Sequence, residues 1–296
     1  MEQGKKYSDI HATAPKNRMT MDDNVRQYVN EHNPLLYILT PCYGGSCFVN
    51  YVQCLMQTIE LCKHFYIELK VEFCKNDSLV TRARNNLVAR ALSNPKTTHV
   101  LFIDADITWD PSDILKLLIS NKEVIGGVYP LKQYNWDNLV NKSNQRAPNM
   151  VETWVNKKNQ SQLKDTMSDS DIIQYNMVNY NVNYLDKCMT IDDNLAKVKH
   201  LATGFMMIQR VAFDKMFKAY PDTKYIDDIS FLKPEENKYA YALFDTAVNE
   251  GRYLSEDWVF CQRYTALKNA VYIDVSIMLT HTGICDYKGA YISSIL

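Results

Sequence analysis

The sequence predicts an α/β protein in which helices flank a mostly parallel central sheet. Short apolar segments typical of strands alternate with segments of helical periodicity from residue 34 onwards. A polar stretch interrupts this alternation in the middle of the chain, after which it resumes. A chain of 296 residues can bury a large core, so a single domain with a polar insertion accounts for the pattern.

The chain is predicted to consist of a lead-in and one domain. Residues 1–33 are polar and lack clear periodicity, so we expect a flexible or loosely packed segment. The domain covers 34–296 and contains a first half, 34–132, a variable insertion, 133–199, and a second half, 200–296. The insertion is rich in Asn, Lys, Gln, Asp and Ser, and we expect some secondary structure in it because long structureless loops are uncommon.

Four strands and three helices are predicted to alternate in the first half. The strands are "PLLYILTPC", "IELKVEFC", "HVLFIDADITW" and "EVIGGVYPL", and the helices are "FVNYVQCLMQTIELC", "NDSLVTRARNNLVARAL" and "DPSDILKLLIS". The third helix has a strong start signal, with Asp110 as N-cap, Pro111 at the first position and Asp113 three residues past the cap. Asp77 or Ser78 is expected to cap the second helix.

The second half is predicted to add two strands and two helices. The strands are "HLATGFMMIQR" and "AVYIDVSIMLTHTG", and the helices are "VAFDKMFKAYP" and "YLSEDWVFCQRYTALKN".

Composition excludes several classes of protein. The formal net charge of −1 gives no basic field for nucleic acid, and no run of 18 or more apolar residues predicts a membrane span. The N-terminal residues lack the apolar core of a signal peptide, and the eight cysteines form no CxxC pair, so we expect reduced thiols and a cytoplasmic location. Neither G-x-G-x-x-G nor a P-loop occurs, which disfavours Rossmann dinucleotide binding and P-loop chemistry.

Two aspartates stand at the end of an otherwise apolar strand. Asp104 and Asp106 are two residues apart, so alternation along a strand would direct both side chains to one side. Ligands bind at the carboxyl ends of strands in open parallel sheets, and two carboxylates there suit Mg²⁺ or Mn²⁺. A solvated strand end is the alternative. Asp110, in the same stretch, is assigned to the helix cap.

The "SEDWVF" segment has the form of a helix start, with Ser255 as N-cap and Glu256 and Asp257 in the first turn. Acidic residues there commonly complement the helix dipole. The same position keeps a carboxylate ionised, as a general base that activates a hydroxyl group requires. His281 ends a late apolar strand just before Gly283, and we consider it as a third metal ligand beside the aspartates, with a structural role as the alternative.

Two arginines lie near the start of the second helix. Arg82 and Arg84 combine their own charge with the helix dipole, and both favour an anionic diphosphate. Asn85, Asn86 and Arg90 follow on the polar side of this helix, where solvation is the alternative role for Arg90.

The ordered set of motifs resembles a glycosyltransferase of the GT-A (Rossmann-like) fold. The motifs are "ILTPCYGG", "NDSLVTRARN", "FIDADITW", "GGVYPLK", "LATGFMMIQR", "SEDWVFCQR" and "THTG". They look most like small stand-alone enzymes of large DNA viruses and bacteria, and the "RARN" and D-x-D segments are similar to the fungal Anp1-type mannosyltransferases. The resemblance covers roughly residues 34–132 and 200–285, and it makes the first half the nucleotide-sugar side and the second half the acceptor side.

The resemblance implies roles for individual residues on both sides. On the donor side it implies Thr40, Pro41 and Tyr43 near the base and ribose, Asp77, Arg82 and Arg84 for the nucleotide or diphosphate, Asp104 near the ribose or metal, and Asp106 and His281 as ligands of Mn²⁺ or Mg²⁺. On the acceptor side it implies Thr203, Gly204, Phe205 and Trp258 as lining residues and Glu256 and Asp257 as the catalytic pair, with Asp257 matching the base of inverting members.

The implied function is metal-dependent hexosyl or pentosyl transfer from a UDP- or GDP-sugar to a hydroxyl group of a glycan or glycoprotein. Inversion is favoured, but "HTGICDYKG" also resembles the H-x-x-G-x-x-K ending of retaining enzymes, which leaves retention open. If the viral likeness holds, the expected location is the host cytoplasm.

Two alternative functions remain at this stage. "FIDADIT" also fits the D-x-D-x-T motif of haloacid-dehalogenase-type phosphatases, with Asp104 and Asp106 as the reacting pair and Asp227 and Asp228 as the acidic motif. However, two predicted strands precede this motif, whereas that nucleophile normally ends the first strand. A non-catalytic glycan-binding module is the other alternative, although it gives no reason to combine D-x-D, Glu-Asp and His281.

Overall fold

An eight-stranded sheet forms the centre of the structure, a computed structural model that describes residues 19–135, 168–186, 188–283 and 286–295. The strands are β1 Leu35–Cys42, β2 Glu68–Lys75, β3 His99–Ile103, β4 Ile107–Thr108, β5 Val124–Gly126, β6 Pro130–Tyr134, β7 Val178–Tyr180, β8 Val182–Asn183, β9 Ile191–Asp192, β10 Leu195–Val198, β11 His200–Leu201, β12 Phe205–Gln209, β13 Ala247–Asn249, β14 Arg252–Leu254, β15 Val271–Asp274, β16 Thr280–Thr282 and β17 Asp286–Lys288. The helices are α1 Met21–His32, α2 Val49–His64, α3 Val80–Ser93, α4 Pro111–Ile119, α5 Asp169–Asn176, α6 Arg210–Ala219, α7 Glu256–Ala266 and α8 Tyr291–Ile295. Short 3₁₀ turns cover Tyr43–Gly45, Pro221–Thr223 and Pro234–Tyr239.

The central sheet has the strand order β2-β1-β3-β12-β5-β15-β10-β9. Pairs β1–β2, β1–β3 and β5–β15 are parallel, whereas β12 and β10 run antiparallel to both of their neighbours. All strands of this sheet except β12 and β10 therefore point the same way. The predicted α/β class with a mostly parallel sheet flanked by helices is confirmed.

Side chains of the central strands alternate between two core layers. Leu35, Tyr37 and Leu39 of β1 pack in the layer that contains α3, whereas Leu36 and Ile38 pack in the layer of α2 and α4. Strand β3 is buried along its whole length. Charged side chains near β3 can therefore reach solvent only beyond the end of the strand, so a functional site next to β3 has to lie at that end.

The N-terminal part of the described chain differs from the predicted loose lead-in. Residues 21–32 form helix α1, which begins with a capping box between Thr20 and Asp23. Val25 and Tyr28 of α1 are buried, and the Tyr28 hydroxyl group lies 3.2 Å from Nε2 of His99. The expectation of a loose segment is therefore wrong for residues 21–32. The periodicity was not apparent in the sequence because the buried residues of this helix, Val25 and Tyr28, lie within a single turn. Residues 1–18 lie outside the described residues.

The predicted insertion, 133–199, is in part a component of the main sheet. Strands β9 and β10 fall within this range and pair with each other, and β10 also pairs with β15. Polar residues in these short strands concealed their strand character in the sequence. Residues 136–167 and residue 187 of the predicted insertion lie outside the described residues.

The two predicted caps of the first half have different outcomes. Helix α4 begins as predicted, with Asp110 as N-cap, Pro111 at the first position and a capping box to Asp113. Helix α3 begins at Val80 with Leu79 at the N-cap, and no side chain caps it. The predicted capping by Asp77 or Ser78 is therefore wrong.

The polar side of α3 is covered by the chain segment 225–244 rather than by solvent. Asn85 donates from Nδ2 to the carbonyl oxygen of Phe244 at 2.7 Å and accepts from its N–H at 3.0 Å. Asn86 donates to Asp227, and the Arg90 guanidinium lies 3.9 Å from the centre of the Phe231 ring. These side chains are therefore not simply solvated, as was considered for Arg90; they hold the segment 225–244 against α3.

Two further observations concern cysteines and membranes. The cysteines within the described ranges are free, and most are buried, as expected of reduced structural thiols. No helix in the described part of the chain combines the length and apolar character needed to cross a bilayer.

Replacing Asn85 with alanine is expected to destabilise the fold. The substitution leaves the N–H and C=O groups of Phe244 without partners in a buried place, at a cost of about 2–4 kcal/mol in the free energy of unfolding. Urea titration followed by circular dichroism measures the difference, with Gln57→Ala on the exposed face of α2 as control. A loss no larger than that of the control would contradict the structural role.

Candidate functional site

The two aspartates of the D-x-D motif lie in a turn beyond strand β3. Strand β3 ends at Ile103, and the Asp104 carbonyl group accepts from the N–H of Ile107 at 3.0 Å. The Asp104 N–H donates to the Gly204 carbonyl oxygen at 3.0 Å, which fixes the turn against the end of β12. Strand alternation therefore does not apply to the two carboxylates, and the prediction that it directs them to one side is wrong.

Arg84 joins Asp104 to the start of helix α7. Its Nη2 donates to Asp104 Oδ1 at 2.9 Å and its Nε donates to Glu256 Oε1 at 3.2 Å. The Arg84 side chain is only 4% exposed and lies over the Phe102 ring. Burial acts to lower the pKa of Arg84, but the adjacent carboxylates outweigh it and hold that pKa above its ordinary value.

One nitrogen of Arg84 is left for a ligand. Nη1 is buried and has no hydrogen-bond partner among the described residues. Buried polar atoms in proteins are nearly always paired, and the exceptions mark positions where a ligand or water completes the bonding. Because Arg84 lines a cleft of about 560 Å³ with Asp104 and Asp106, we interpret Nη1 as an open donor for an anion.

Asp257 is buried at the start of α7, next to Glu256. The Ser255 hydroxyl group and the Trp258 N–H, the latter at 2.8 Å, both donate to Asp257 Oδ1. Burial and the neighbouring charge of Glu256 raise the pKa of Asp257 to about 6, although these hydrogen bonds and Arg84 act to lower it. Ser255 is at the N-cap as predicted, but its hydroxyl group serves Asp257 instead of a backbone N–H of the helix. The arrangement suits a general base near neutral pH.

Asp106 is paired with two groups on other strands. Its Oδ2 contacts the Lys132 ammonium group and lies 3.4 Å from Nε2 of His281. Burial acts to raise the pKa of Asp106, but hydrogen bonds from His281 and Lys132 outweigh it and lower that pKa. Strand β16, which carries His281, pairs with β4 just after the D-x-D turn, and so brings the two residues together.

The side chains around Asp106 offer two candidate ligands for a divalent cation, the Asp106 carboxylate and the His281 imidazole. His281 Nδ1 lies 2.9 Å from the Pro130 carbonyl oxygen, which only accepts, so Nδ1 carries a hydrogen and the ring is oriented with Nε2 towards Asp106. Mg²⁺ is commonly bound by one or two carboxylates together with phosphate oxygens, and Asp106 supplies one such carboxylate here. No group of three or more His, Cys, Asp or Glu side chains within the described ranges is arranged to hold a metal, and Asp104 is occupied by Arg84.

The other predicted donor-side residues divide into two groups. Pro41 and Tyr43 line the cleft, and Tyr43 is 81% exposed at its mouth. Thr40 is fully buried, and its hydroxyl oxygen lies 2.5 Å from that of Tyr51, which places it away from the cleft surface.

Asp77 lines the cleft, but its carboxylate is committed to Arg82. Arg82 donates to it from Nε at 3.0 Å and from Nη2 at 2.8 Å, and the Leu79 N–H donates at 3.0 Å. Burial acts to raise the pKa of Asp77, but these hydrogen bonds hold it below its ordinary value. The pair braces the loop before α3.

The predicted acceptor-side residues are largely internal. Phe205 is fully buried in the core between the sheet and helices α2 and α4, and Thr203 is also buried. Direct contact of the Phe205 side chain with an acceptor is excluded in this arrangement, because the side chain follows the inward direction of β12. Trp258 stacks on the buried His200 ring, with ring centres 4.9 Å apart.

Tyr129 and Lys132 belong to the site, although the sequence analysis did not single them out. Tyr129 is buried, its ring lies 5.1 Å from that of His281, and an added Cβ at Gly204 would come within 2.6 Å of the Tyr129 ring. Burial, Asp104 and Asp257 raise the pKa of Tyr129, so the phenol is neutral. Both residues lie in the "GGVYPLK" motif, which the sequence analysis used to predict a strand and not to identify site residues.

A sequence model described as Anp1 matches residues 74–202, somewhat less than half of the chain. This confirms the predicted resemblance over the segment that contains "RARN" and the D-x-D motif. The matched segment includes Arg84, Asp106 and Lys132 but ends before Asp257 and His281. Roles for the last two residues therefore depend on their geometry.

Several solved structures are similar to the chain at low identity. A197 from STIV has 14% identity and a TM-score of 0.44, covering 84% of this chain and 86% of that chain. A glycosyltransferase involved in the glycosylation of the major capsid of PBCV-1 has 12% identity and a TM-score of 0.30, covering 81% and 93%. The 4-diphosphocytidyl-2C-methyl-D-erythritol synthase from Anaerococcus prevotii has 8% identity and a TM-score of 0.30, covering 66% and 80%. With TM-scores below 0.5, these similarities establish neither fold nor activity. No curated protein sequence matches the chain.

Replacing Gly204 with alanine is expected to displace Tyr129. The new methyl group would lie 2.6 Å from Cε1 of Tyr129, and such overpacking costs about 1–3 kcal/mol in the free energy of unfolding. A double-mutant cycle with Tyr129→Leu, measured by urea unfolding, tests the contact. The two losses should be non-additive, because removing the ring removes the clash. Additive losses would show that contact with the Tyr129 ring is not the reason why position 204 needs a glycine.

Proposed function

We propose that the protein is a glycosyltransferase that moves a sugar from a UDP- or GDP-sugar to a hydroxyl group of an acceptor glycan or glycoprotein. The observation that carries the proposal is the placement of Arg84, which lines the cleft, joins Asp104 at the strand end to Glu256 beside Asp257, and keeps one buried nitrogen, Nη1, without a hydrogen-bond partner among the described residues. The Anp1 match over residues 74–202 supports the transferase class. The transferred sugar would be a hexose or a pentose.

The donor fits the cleft with its diphosphate against Arg84. A guanidinium nitrogen with two free N–H groups binds phosphate oxygens through charge-assisted hydrogen bonds, and its burial strengthens them. Tyr43 and Phe48 are exposed aromatic side chains at the mouth of the same cleft, and bases stack on such surfaces. The nucleotide would therefore lie between these rings and Arg84.

The charge of the site supports a divalent cation. The four carboxylates of Asp104, Asp106, Glu256 and Asp257 exceed the two cations of Arg84 and Lys132, so these six side chains carry a formal charge of −2. An anionic diphosphate would be repelled by this excess. Asp106 and His281 would hold Mn²⁺ or Mg²⁺, and such a cation would neutralise charge that develops on the departing nucleoside diphosphate.

Asp257 is the proposed general base. Because burial raises its pKa to about 6, it is ionised at neutral pH yet basic enough to accept a proton from the acceptor hydroxyl group. The deprotonated hydroxyl oxygen then attacks the anomeric carbon as the bond to the diphosphate breaks through an oxocarbenium-like state. Direct attack of this kind inverts the anomeric configuration, so we favour inversion.

The phosphatase alternative loses support from the geometry. Asp104, its would-be nucleophile, is held by Arg84, and Asp227 accepts the N–H groups of Phe231 at 2.7 Å and Leu232 at 2.9 Å. Asp227 therefore organises a loop on α3 and is not a free acidic group for a phosphatase site.

Replacing Asp257 with asparagine is expected to abolish transfer and spare donor binding. Loss of a general base lowers kcat by about 10²–10⁴-fold, whereas contacts to the nucleotide are unchanged. The assay screens UDP- and GDP-sugars with Mn²⁺ for release of nucleoside diphosphate, with and without mixed acceptor glycans. Nucleotide affinity is measured by calorimetry, and Asp22→Asn on the exposed first turn of α1 is the control.

Other outcomes separate the alternatives. Unchanged transfer by Asp257→Asn would refute its role as the base. Phosphate-ester hydrolysis that requires Asp104 in the absence of nucleotide binding would favour a phosphatase. Glycan binding without turnover of any nucleotide sugar would favour a binding module.

Replacing Ser255 with alanine is expected to move the acid limb of the pH profile upwards. The Ser255 hydroxyl group stabilises ionised Asp257 and thus lowers its pKa, so its loss raises that pKa above about 6. The base acts when deprotonated, so kcat/KM falls as pH drops through this pKa, and the variant should lose activity at a higher pH than the wild type. A profile of kcat/KM against pH for both proteins checks the shift. An unmoved or lowered acid limb would show that Asp257 does not govern it.

A further inference from the structure

Lys132 occupies the oxygen atom of Asp106 that a metal ion would also use. Its Nζ contacts Oδ2, the same oxygen that lies 3.4 Å from Nε2 of His281. Lys132 follows Pro130 in β6, and the Pro130 carbonyl oxygen orients the His281 ring at 2.9 Å. One short segment thus positions the imidazole and supplies a competing cation.

The chemistry of these groups explains why a cation is needed there. His281 Nδ1 donates to the Pro130 carbonyl oxygen, and Nε2 lies 3.4 Å from the Asp106 oxygen that Lys132 also contacts. A partly buried carboxylate is stable in its ionised form only when a positive charge or hydrogen-bond donors lie beside it. The Lys132 ammonium group provides that charge at Asp106, and a divalent cation bound by both atoms would provide it more directly.

We infer that Lys132 is an exchangeable counter-ion, which pairs with Asp106 when no metal is bound and transfers to a diphosphate oxygen when a metal and the nucleotide bind. This role rests on the proposed function. The Lys132 side chain is 34% exposed and its four-carbon stem is flexible, so Nζ can change partners without movement of the backbone. Arg84, at 4% exposed and held by two carboxylates, lacks this freedom.

The exchange predicts two effects of opposite sign for Lys132→Met. Methionine removes the charge but keeps a similar volume, so Asp106 no longer has to release a lysine before it binds a metal. Mn²⁺ alone should bind roughly two- to fivefold more tightly, a change expected for a partly exposed ion pair. UDP or GDP in the presence of saturating Mn²⁺ should bind more weakly by a similar factor, because a contact to the diphosphate is lost.

The measurement uses the full-length protein and the electron paramagnetic resonance signal of free Mn²⁺, followed by calorimetry with each nucleotide. Lys132→Arg keeps the charge and should resemble the wild type in both titrations. Lys116→Met is the matched control, since Lys116 pairs with Asp113 at 2.7 Å with a similar exposure of 30%. Asp106→Asn should weaken Mn²⁺ binding in both the wild-type and Lys132→Met backgrounds.

Two changes of the same sign, or no change in Mn²⁺ affinity, would overturn the inference. A purely structural role of Lys132 would weaken both titrations together. Should Lys132→Met fail to fold, Lys132→Gln replaces it in the same pair of titrations. The Mn²⁺ titration requires no donor sugar, so the failure of the proposed transferase activity would be seen in the turnover screen and not in this result.

Discussion

The buried ion pairs of Arg84 are the interaction on which the rest of the site depends. A charge that is 4% exposed and unpaired would cost several kcal/mol, so α3 can pack only if carboxylates reach it. Asp104 and Glu256 meet this need from positions 20 and 172 residues away in the sequence. The turn after β3 and the start of α7 are therefore drawn to the same place, and Asp257 arrives beside the cleft as a consequence of its neighbour's pairing.

Residues 129–132, which follow β5, connect the D-x-D turn with His281 on the other side of the site. Tyr129 packs on Gly204, and Gly204 in turn accepts the Asp104 N–H through its carbonyl oxygen. The Pro130 carbonyl oxygen orients His281, and Lys132 contacts Asp106. Because these contacts link both aspartates to the single segment 129–132, a shift of the Tyr129 ring would change the surroundings of Asp104 and of His281 together. This explains why glycine, the only residue without a Cβ, stands at position 204.

The sequence predicted those features that local rules control. Alternation of strands and helices indicated the α/β sheet, and the capping box at Asp110 placed α4 correctly. Long-range pairing was beyond local rules: the polar stretch contained β9 and β10, and the polar side of α3 was buried by a distant segment. Within the site, residue types pointed to Asp104, Asp106 and Asp257, but only the fold reveals which cation each carboxylate faces. The chemical use of Lys132 had no signal in the sequence beyond its place in "GGVYPLK".

The two aspartates of the D-x-D motif differ because their counter-ions differ. Asp104 faces a guanidinium group that burial holds in place, so its charge is committed to the architecture and to the donor nitrogen that Arg84 still offers. Asp106 faces a partly exposed ammonium group and an imidazole nitrogen, and each of these groups can change its partner. The fixed cation, Arg84, organises the cleft before any ligand binds. The exchangeable cation, Lys132, would allow the charge next to Asp106 to change when a metal and a nucleotide bind. The D-x-D spacing alone does not distinguish the two aspartates. Their different roles follow from the positions of their cations: Arg84 lies on the buried face of α3, whereas Lys132 lies on a partly exposed position of β6.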